Sequence, residues 1–228
     1  MSASILIVED DENISKLISY SLEKSGFTST VINNGQKAFD IIRKKTFDLI
    51  ILDIMLPEID GLEVCKKIKS DNQLSSIPVI MLTAKSEEVD RIVGFELGAD
   101  DYVTKPFSPR ELVLRVKAIL KRGHSSSEEN KVISLDPIKI DVSRHKVTVG
   151  NKEIYFTSIE FNLLKILVER KGRVQSREKL LGDVWDIAAD VTTRTVDTHI
   201  KRLRSKLGNA GDLIETVRGL GYRMKEQG

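Results

Sequence analysis

Short apolar runs alternate with amphipathic stripes through the first 120 residues of the chain. Continuous apolar runs such as Leu49–Leu52 are typical of strands that are covered on both faces. Stripes with apolar residues every three or four positions, as in Ile14–Leu22, predict helices that cover such strands. The predicted strands are 5–8, 28–32, 49–52, 79–82 and 102–104, and the predicted helices are 14–22, 38–42, 64–68, 91–97 and 109–120. This alternation predicts an α/β domain with a five-stranded, parallel, doubly wound sheet.

The pattern changes after residue 122. Residues 123–130 contain no apolar side chain and include three consecutive serines, which is typical of a linker. Short alternating runs between Lys131 and Phe156 then predict a small antiparallel sheet. Three helical stripes follow over 158–170, 176–184 and 192–207, and a glycine-containing hairpin over 214–224. We therefore predict a first domain over 1–122, a linker over 123–130 and a smaller α+β domain over 131–228.

Composition excludes several classes of protein. The chain has 228 residues and a single cysteine, Cys65, so a disulfide framework and a cysteine-rich zinc site are excluded. No run approaches the ~18 apolar residues of a transmembrane helix, and the first residues do not resemble a secretory signal. We therefore expect a cytoplasmic protein that does not bind membranes.

Positive charge is concentrated in one segment. The net charge is only +2, yet residues 193–206 contain five basic residues and one acidic residue. A local basic surface indicates a polyanionic partner, although a solvated helix face would have the same composition.

Polar residues follow the predicted strands of the first domain. Glu9 and Asp10 follow the first strand, Asp53 the third, Thr83 the fourth and Lys105 the fifth. The carboxyl ends of parallel strands meet at one edge of a sheet, so these side chains should converge. Carboxylates at such short distances repel one another. A bound Mg²⁺ ion, which prefers oxygen ligands, would relieve the repulsion. A carboxylate can also accept a phosphoryl group, whose charge the lysine would balance.

Neighbouring acids have a simpler interpretation. Asp11 and Glu12 fit the negative charges that favour the start of a helix, and Asp60 fits a turn before Gly61. Any one of the strand-end acids could likewise be a cap or a solvated loop residue, and only their combination favours a site.

The first domain resembles the receiver domain of two-component response regulators. The resemblance lies in four segments: 5–11, 52–61, 81–85 and 98–107. It implies that Asp53 is the phosphoacceptor and that a sensor histidine kinase is the donor. It also implies Mg²⁺ as cofactor, held by Glu9, Asp10, Asp53 and the backbone carbonyl of Met55.

The same resemblance assigns a switch. Thr83 and Lys105 would contact the phosphoryl group, Thr83 would draw its loop inward, and Tyr102 would then turn into the space that opens. Pro106 matches a position at which the family has a cis proline. Without the resemblance, Tyr102 would be taken for an ordinary aromatic residue at the sheet edge.

A charged face near residues 91–122 resembles the dimer face of the OmpR/PhoB subfamily. The resemblance implies three pairs across a two-fold axis, namely Arg91–Glu111, Asp101–Arg115 and Asp100–Arg122. Ile92, Phe95 and Leu114 would form its apolar centre, or alternatively belong to the core.

The predicted helix over 192–207 has a narrow apolar stripe formed by Val196, Ile200, Leu203 and Leu207. Its basic side chains lie away from that stripe, and His199 lies at the border. A helix of this kind fits the major groove of double-stranded DNA, where arginine can contact guanine edges and lysine can contact phosphates. Arg218, in the glycine-flanked hairpin, could reach a minor groove.

The second domain resembles the winged-helix effector domain of the same subfamily, over segments 156–164, 173–181, 194–204 and 216–223. The sequence of the predicted helix over 192–207 is more similar to that of PhoB, which implies phosphate-starvation control. The implied DNA contacts are Arg177, Arg194, His199, Lys201, Arg202, Arg204, Thr216 and Arg218. Asp197 would pair with a nearby arginine. Trp185 would open a loop over 185–192 that faces RNA polymerase, or else anchor the domain.

These observations predict a DNA-binding response regulator, not an enzyme with a separate substrate. Phosphorylation of Asp53 would drive homodimerisation and binding to tandem promoter half-sites. One alternative is a phosphatase of the haloacid-dehalogenase type, but it needs a second aspartate where this chain has Met55. The other is a winged-helix transcription factor independent of phosphorylation, which would need a spoiled pocket.

Overall fold

A computed structural model describes residues 2–84, 97–123, 131–185 and 193–226, and the chain forms two compact units, Met1–Arg122 and Gly123–Gly228. The sheet of the first unit has five parallel strands in the order β2-β1-β3-β4-β5. Its strands are β1 (Ser4–Val8), β2 (Thr28–Ile32), β3 (Leu49–Asp53), β4 (Val79–Ala84) and β5 (Asp101–Lys105). The predicted doubly wound sheet is confirmed.

Four helices of this unit lie in the described ranges: α1 (Glu12–Lys24), α2 (Gly35–Ile42), α3 (Gly61–Ser70) and α4 (Pro109–Gly123). The first turns of α1, α2 and α3 are set by side chains that accept backbone N–H groups. Asp11 accepts from Asn13 and Ile14, and Asp60 accepts from Leu62, which confirms their interpretation as local structure. The predicted helix over 91–97 lies outside the described residues except for Leu97.

The core explains why β1, β3 and β4 have continuous apolar sequences. Ile5, Ile7 and Ile51 pack in one cluster with residues of α1 and α4. Their sequence neighbours Leu6 and Leu52 are equally buried, because successive side chains of a strand point to opposite faces. Helices therefore cover both faces, and functional groups are left to the strand ends.

The second unit begins with a four-stranded antiparallel sheet in the order β6-β7-β8-β9. These strands are β6 (Val132–Leu135), β7 (Ile138–Asp141), β8 (Lys146–Val149) and β9 (Lys152–Ile154). Three helices follow: α5 (Ser158–Glu169), α6 (Arg177–Trp185) and α7 (Thr193–Leu207). Thr157 and Glu160 form the predicted capping box of α5.

A hairpin completes this unit. A short 3-10 helix (Gly208–Leu213) leads into β11 (Ile214–Val217) and β12 (Gly221–Met224), and β12 also pairs with β10 (Gln175–Ser176). We call residues 214–224 the wing and α7 the recognition helix. The arrangement is a winged helix, as predicted. None of the helices in the described ranges is long and apolar enough to span a bilayer.

Gly221 is required where β12 passes β10. Its φ is 148°, and a Cβ atom there would lie 2.1 Å from the carbonyl oxygen of Gln175. We expect Gly221→Ala to destabilise the second unit by about 2–4 kcal/mol, because a backbone strand would have to move. Urea denaturation followed by circular dichroism measures the change.

Gly182 gives the matched control. It lies within α6, and a Cβ there would meet nothing within 4 Å. Gly182→Ala should therefore leave stability unchanged or raise it by up to about 1 kcal/mol. Equal effects of the two substitutions would contradict the steric explanation.

Candidate phosphoacceptor site and nucleic-acid interface

Three carboxylates converge at the carboxyl edge of the parallel sheet. Glu9 and Asp10 follow β1 and Asp53 ends β3, and each offers one oxygen within 4.8 Å of the others. Glu9 is 1% exposed and Asp53 is buried, whereas Asp10 faces solvent. The pairing of β1 with β3 places these groups side by side, as the sequence predicted.

Lys105, at the end of β5, reaches across to two of these acids. Its Nζ lies 2.8 Å from Asp53 Oδ2 and 2.8 Å from Glu9 Oε2. The other oxygens accept backbone bonds: Met55 N–H donates to Asp53 Oδ1 at 3.3 Å, and Asp11 N–H donates to Glu9 Oε1 at 3.3 Å. The ammonium group and these amides hold both carboxylates in place.

Burial changes the proton affinity of these groups. Burial, opposed by the hydrogen bond from Lys105 and reinforced by the charge of Asp53, raises the pKa of Glu9 to about 7. Burial alone would lower the pKa of Lys105, but its bonds to Asp53 and Glu9 outweigh that effect and raise it. Lys105 therefore stays charged, while Glu9 is only partly ionised near neutral pH.

The donor set fits a hard divalent cation. Glu9, Asp10 and Asp53 present three carboxylate oxygens, the ligand type that Mg²⁺ prefers, with one side open to water. Burial, with a smaller contribution from the charge of Asp53, raises the pKa of Glu9, and a bound cation would offset both effects. These residues would hold the ion; the role of the Met55 carbonyl stays a prediction.

The predicted switch residues lie close to this site. Thr83, in β4, is buried, and the Lys105–Pro106 peptide bond is cis, as predicted. Tyr102 is only 5% exposed, so its ring is inside the unit in this structure. An inward turn of Tyr102 therefore needs no further movement from this conformation.

The structure contradicts the predicted role of Asp100 at a dimer face. Its carboxylate is buried and accepts hydrogen bonds from Lys69 Nζ and the Val79 N–H group, each at 2.9 Å. Lys69 also donates to the Ile77 carbonyl at 2.7 Å. Sequence reasoning missed Lys69, because a lysine in a helix is usually solvated and nothing local indicates a partner 31 positions away.

Three other charged residues of that face, among those that the structure describes, pair within the chain. Arg115 contacts Asp101 at 3.0 Å and Glu111 at 2.8 Å. Leu114, on α4, is 58% exposed, which fits an interface better than the core. Arg91, Ile92 and Phe95 lie outside the described residues, as does the side chain of Arg122.

The recognition helix buries its predicted stripe of Val196, Ile200, Leu203 and Leu207 against the unit. Arg194 and Lys201 are exposed and Arg202 is half-buried, so a basic surface faces away from the core. The prediction that His199 contacts DNA is contradicted. Its side chain is 0% exposed and its ring lies 5.3 Å from that of Trp185, because His199 falls on the core side of the stripe.

Two of the predicted DNA-binding arginines make internal contacts. Arg204 donates to the Ile214 carbonyl and, at 2.8 Å, to Thr216 Oγ1. Arg177 donates to Asp197 Oδ1 at 2.7 Å, which confirms that Asp197 pairs with a nearby arginine. Arg218 is exposed in the wing, where it could meet a ligand.

Sequence reasoning gave no role to Tyr222, which also bonds to Asp197. Its Oη donates to Asp197 Oδ1 at 2.6 Å. Burial and that bond raise the pKa of Tyr222, so the phenol remains a donor. No sequence signal relates residues 25 positions apart in a helix and a hairpin.

Trp185 is fully buried, in agreement with the anchor alternative. The residues 186–192 that would face RNA polymerase lie outside the described ranges.

The raised pKa of Glu9 predicts that the stability of the fold depends on pH. Its pKa is higher in the folded state, about 7, than its ordinary value of 4.5, so ionising it opposes folding. In Mg²⁺-free buffer, wild-type stability should decline between about pH 4.5 and pH 7. Glu9→Gln should remove this decline and be more stable than wild type at pH 8 by about 1–3 kcal/mol.

Thermal unfolding at several pH values tests this, with exposed Glu12→Gln as the control that keeps the wild-type profile above pH 5. Saturating Mg²⁺ should stabilise wild type more than Glu9→Gln. A wild-type profile flat from pH 5 to pH 8 would refute the assignment.

Comparison with known proteins extends over nearly the whole chain. Residues 5–117 match the family model of the response regulator receiver domain, and residues 151–224 match that of the C terminal of transcriptional regulatory proteins. The sensory transduction protein RegX3 of Mycolicibacterium smegmatis is 42% identical over 97% of this chain and 99% of its own. The transcriptional regulatory protein SrrA of Staphylococcus aureus is 43% identical over 99% of this chain and 96% of its own.

Solved structures are also similar to this chain. A mutant of RitR superposes with a TM-score of 0.76 at 29% identity, covering 99% of this chain and 100% of that one. DrrB of Thermotoga maritima, described as an OmpR/PhoB homologue, gives 0.50 at 36% identity with the same coverage. These matches do not single out PhoB. With the acidic pocket, the parallel sheet and the winged helix, they establish that the chain belongs to the OmpR/PhoB family of two-component response regulators.

Proposed function

We propose that phosphorylation of Asp53 converts this response regulator into a homodimer that binds tandem half-sites on double-stranded DNA. A sensor histidine kinase supplies the phosphoryl group. The observation that carries the proposal is the position of the Asp53 carboxylate, buried at the sheet edge with Lys105 Nζ 2.8 Å away. A winged helix in the same chain supplies the output.

The transfer step moves the phosphoryl group from a histidine of the kinase to Asp53. An oxygen of the Asp53 carboxylate attacks the phosphorus atom of the kinase phosphohistidine. The new O–P bond forms as the N–P bond breaks, and the departing imidazole keeps the electron pair and takes up a proton. Lys105 stays charged beside the added oxygens. A Mg²⁺ ion held by the three carboxylates would supply further charge neutralisation.

The phosphatase alternative fits less well. Such an enzyme needs a second carboxylic acid two residues after the nucleophile to protonate its leaving group. Met55 stands there, and its side chain is exposed and cannot donate a proton. Asp53 therefore accepts a phosphoryl group that is later lost by slow hydrolysis. The protein does not turn over a separate substrate.

The pocket also disfavours a DNA binder that is independent of phosphorylation. Its acids, lysine and buried hydroxyl group all lie at one sheet edge. In this proposal Thr83, which is buried in β4, donates to an added phosphoryl oxygen, and its displacement starts the switch.

Dimerisation is proposed to use the face of α4. Exposed Leu114 supplies apolar area, whereas Arg115, Asp101 and Glu111 are already paired within one chain. Exchange of these pairs between two chains adds little free energy, since surface ion pairs contribute about 0–1 kcal/mol. The charges are therefore expected to set register, and Leu114 to supply affinity.

Two finer elements rest on the sequence resemblance. RNA polymerase is proposed as a partner of the loop over 185–192. Phosphate-starvation control is proposed because the sequence Arg194–Arg204 of the recognition helix resembles that of PhoB. Reporter transcription under phosphate limitation, in a strain with and without this chain, tests the second.

The dimer prediction concerns the full chain with Mg²⁺ and beryllium fluoride, a phosphoryl mimic. Sedimentation velocity should show a shift from monomer to dimer in wild type, because the mimic occupies the phosphoryl position on Asp53. Asp53→Ala should stay monomeric. Leu114→Ser should weaken the dimer about tenfold, from the loss of buried apolar area.

Leu17→Ser is the matched control, since Leu17 is also an exposed leucine but lies on α1. It should dimerise like wild type. Dimerisation of Asp53→Ala to the same extent would refute control by phosphorylation, and an unaffected Leu114→Ser dimer would move the interface elsewhere.

DNA binding by the exposed basic residues predicts a specific salt dependence. Each phosphate contact contributes about 0.9 to the slope of log affinity against log salt concentration. Arg194→Ala and Lys201→Ala should each reduce this slope by up to about 0.9 on a duplex of arbitrary sequence. Exposed Lys152→Ala, in β9, is the control with an unchanged slope. Fluorescence anisotropy at several salt concentrations measures it, and three equal slopes would contradict the assigned surface.

A further inference from the structure

Three elements of the winged helix meet at one carboxylate oxygen. Asp197 Oδ1, on the recognition helix, accepts from Tyr222 Oη of β12 at 2.6 Å and from Arg177 Nε of α6 at 2.7 Å. Arg177 Nη2 also lies 3.4 Å from Tyr222 Oη, and its guanidinium lies 4.9 Å from the centre of the Tyr222 ring. One acidic side chain thus joins two helices and one strand of the wing.

The recognition helix holds the other wing strand as well. Arg204 donates to the Ile214 carbonyl and to Thr216 Oγ1, both in β11. Its guanidinium lies 5.8 Å from the centre of the Tyr222 ring. Asp197 and Arg204 are seven positions apart, so they lie on the same side of the helix about 10 Å from each other along its axis. Each fixes one strand of the hairpin.

An acid is unexpected at this position. Segment 193–206 has five basic residues, and Asp197 is its one acid. A carboxylate beside a DNA-binding surface repels phosphates, so simple electrostatics predicts that its removal would tighten binding. The hydrogen bonds that Asp197 accepts from Arg177 and Tyr222 give a structural reason for an acid at this position.

We propose that Asp197 and Tyr222 are positioning residues for DNA binding, which fix the wing relative to the recognition helix. The inference rests on the proposed DNA-binding function. The pair sets the distance between exposed Arg218 in the wing and exposed Arg194 and Lys201 on the helix. Those three side chains can then engage one duplex together without ordering the hairpin at the moment of binding.

The test compares Asp197→Ala and Tyr222→Phe in the full chain, on a duplex of arbitrary sequence. Both variants should bind about tenfold more weakly than wild type, the effect expected from losing a hydrogen bond to a charged group. The salt slope should stay near the wild-type value, because no phosphate contact is removed. Asp197→Asn, which keeps an acceptor oxygen, should recover part of the affinity.

Asp212→Ala is the matched control. Asp212 is an exposed acid of the same unit, in the 3-10 helix before the wing. Its removal should leave binding unchanged or slightly tighter. Hydrogen exchange of the wing amides over 214–224 should be faster in Asp197→Ala and Tyr222→Phe, while thermal unfolding shows whether each variant is folded at the assay temperature.

The outcomes separate the two proposals. Tighter or unchanged binding by Asp197→Ala, together with unchanged binding by Tyr222→Phe, would overturn the positioning role. If Asp197→Ala fails to fold, Tyr222→Phe alone decides, since it removes one oxygen and keeps the ring. Absence of salt-dependent binding by wild type would instead refute the proposed DNA-binding function.

Discussion

Three carboxylates meet at one edge of a buried parallel sheet, which brings negative charge and burial together at one point. Lys105 offsets part of that charge by contacting Asp53 and Glu9. Burial, reinforced by the charge of Asp53, raises the pKa of Glu9, and the three carboxylate oxygens suit a hard cation. A phosphoryl group adds further negative charge at the same point. Under the proposed function, phosphorylation of Asp53 would therefore change the charge of a buried site in which Lys105 already contacts two carboxylates.

The second unit uses charge in the opposite way. Its recognition helix exposes basic side chains that suit a polyanion. The single acid of that helix, Asp197, accepts hydrogen bonds from Tyr222 and Arg177. Arg204, which also looks like a phosphate ligand in the sequence, contacts the backbone of β11. Basic residues of one helix thus divide into those that face solvent and those that hold the wing.

Charged residues on α4 and at the start of β5 show why composition alone does not identify an interface. Asp100 and Asp101 are adjacent in sequence, yet one carboxylate is buried against Lys69 and the other contacts Arg115. Complementary charges on one face can pair within a chain or between chains with similar geometry. The proposed dimer face therefore rests on exposed Leu114 more than on these charges.

Much of this protein follows from local sequence. Apolar runs of buried strands, helical stripes, capping residues and the residues at strand ends predicted the sheet, the winged helix and the convergence of Glu9, Asp53 and Lys105, because each depends on periodicity and the rule that parallel strands end at one edge. Side-chain partners far apart in sequence were not predictable in this way. The burial of His199, the Lys69–Asp100 pair and the Asp197–Tyr222 bond depend on which helix faces meet, and only tertiary packing decides that.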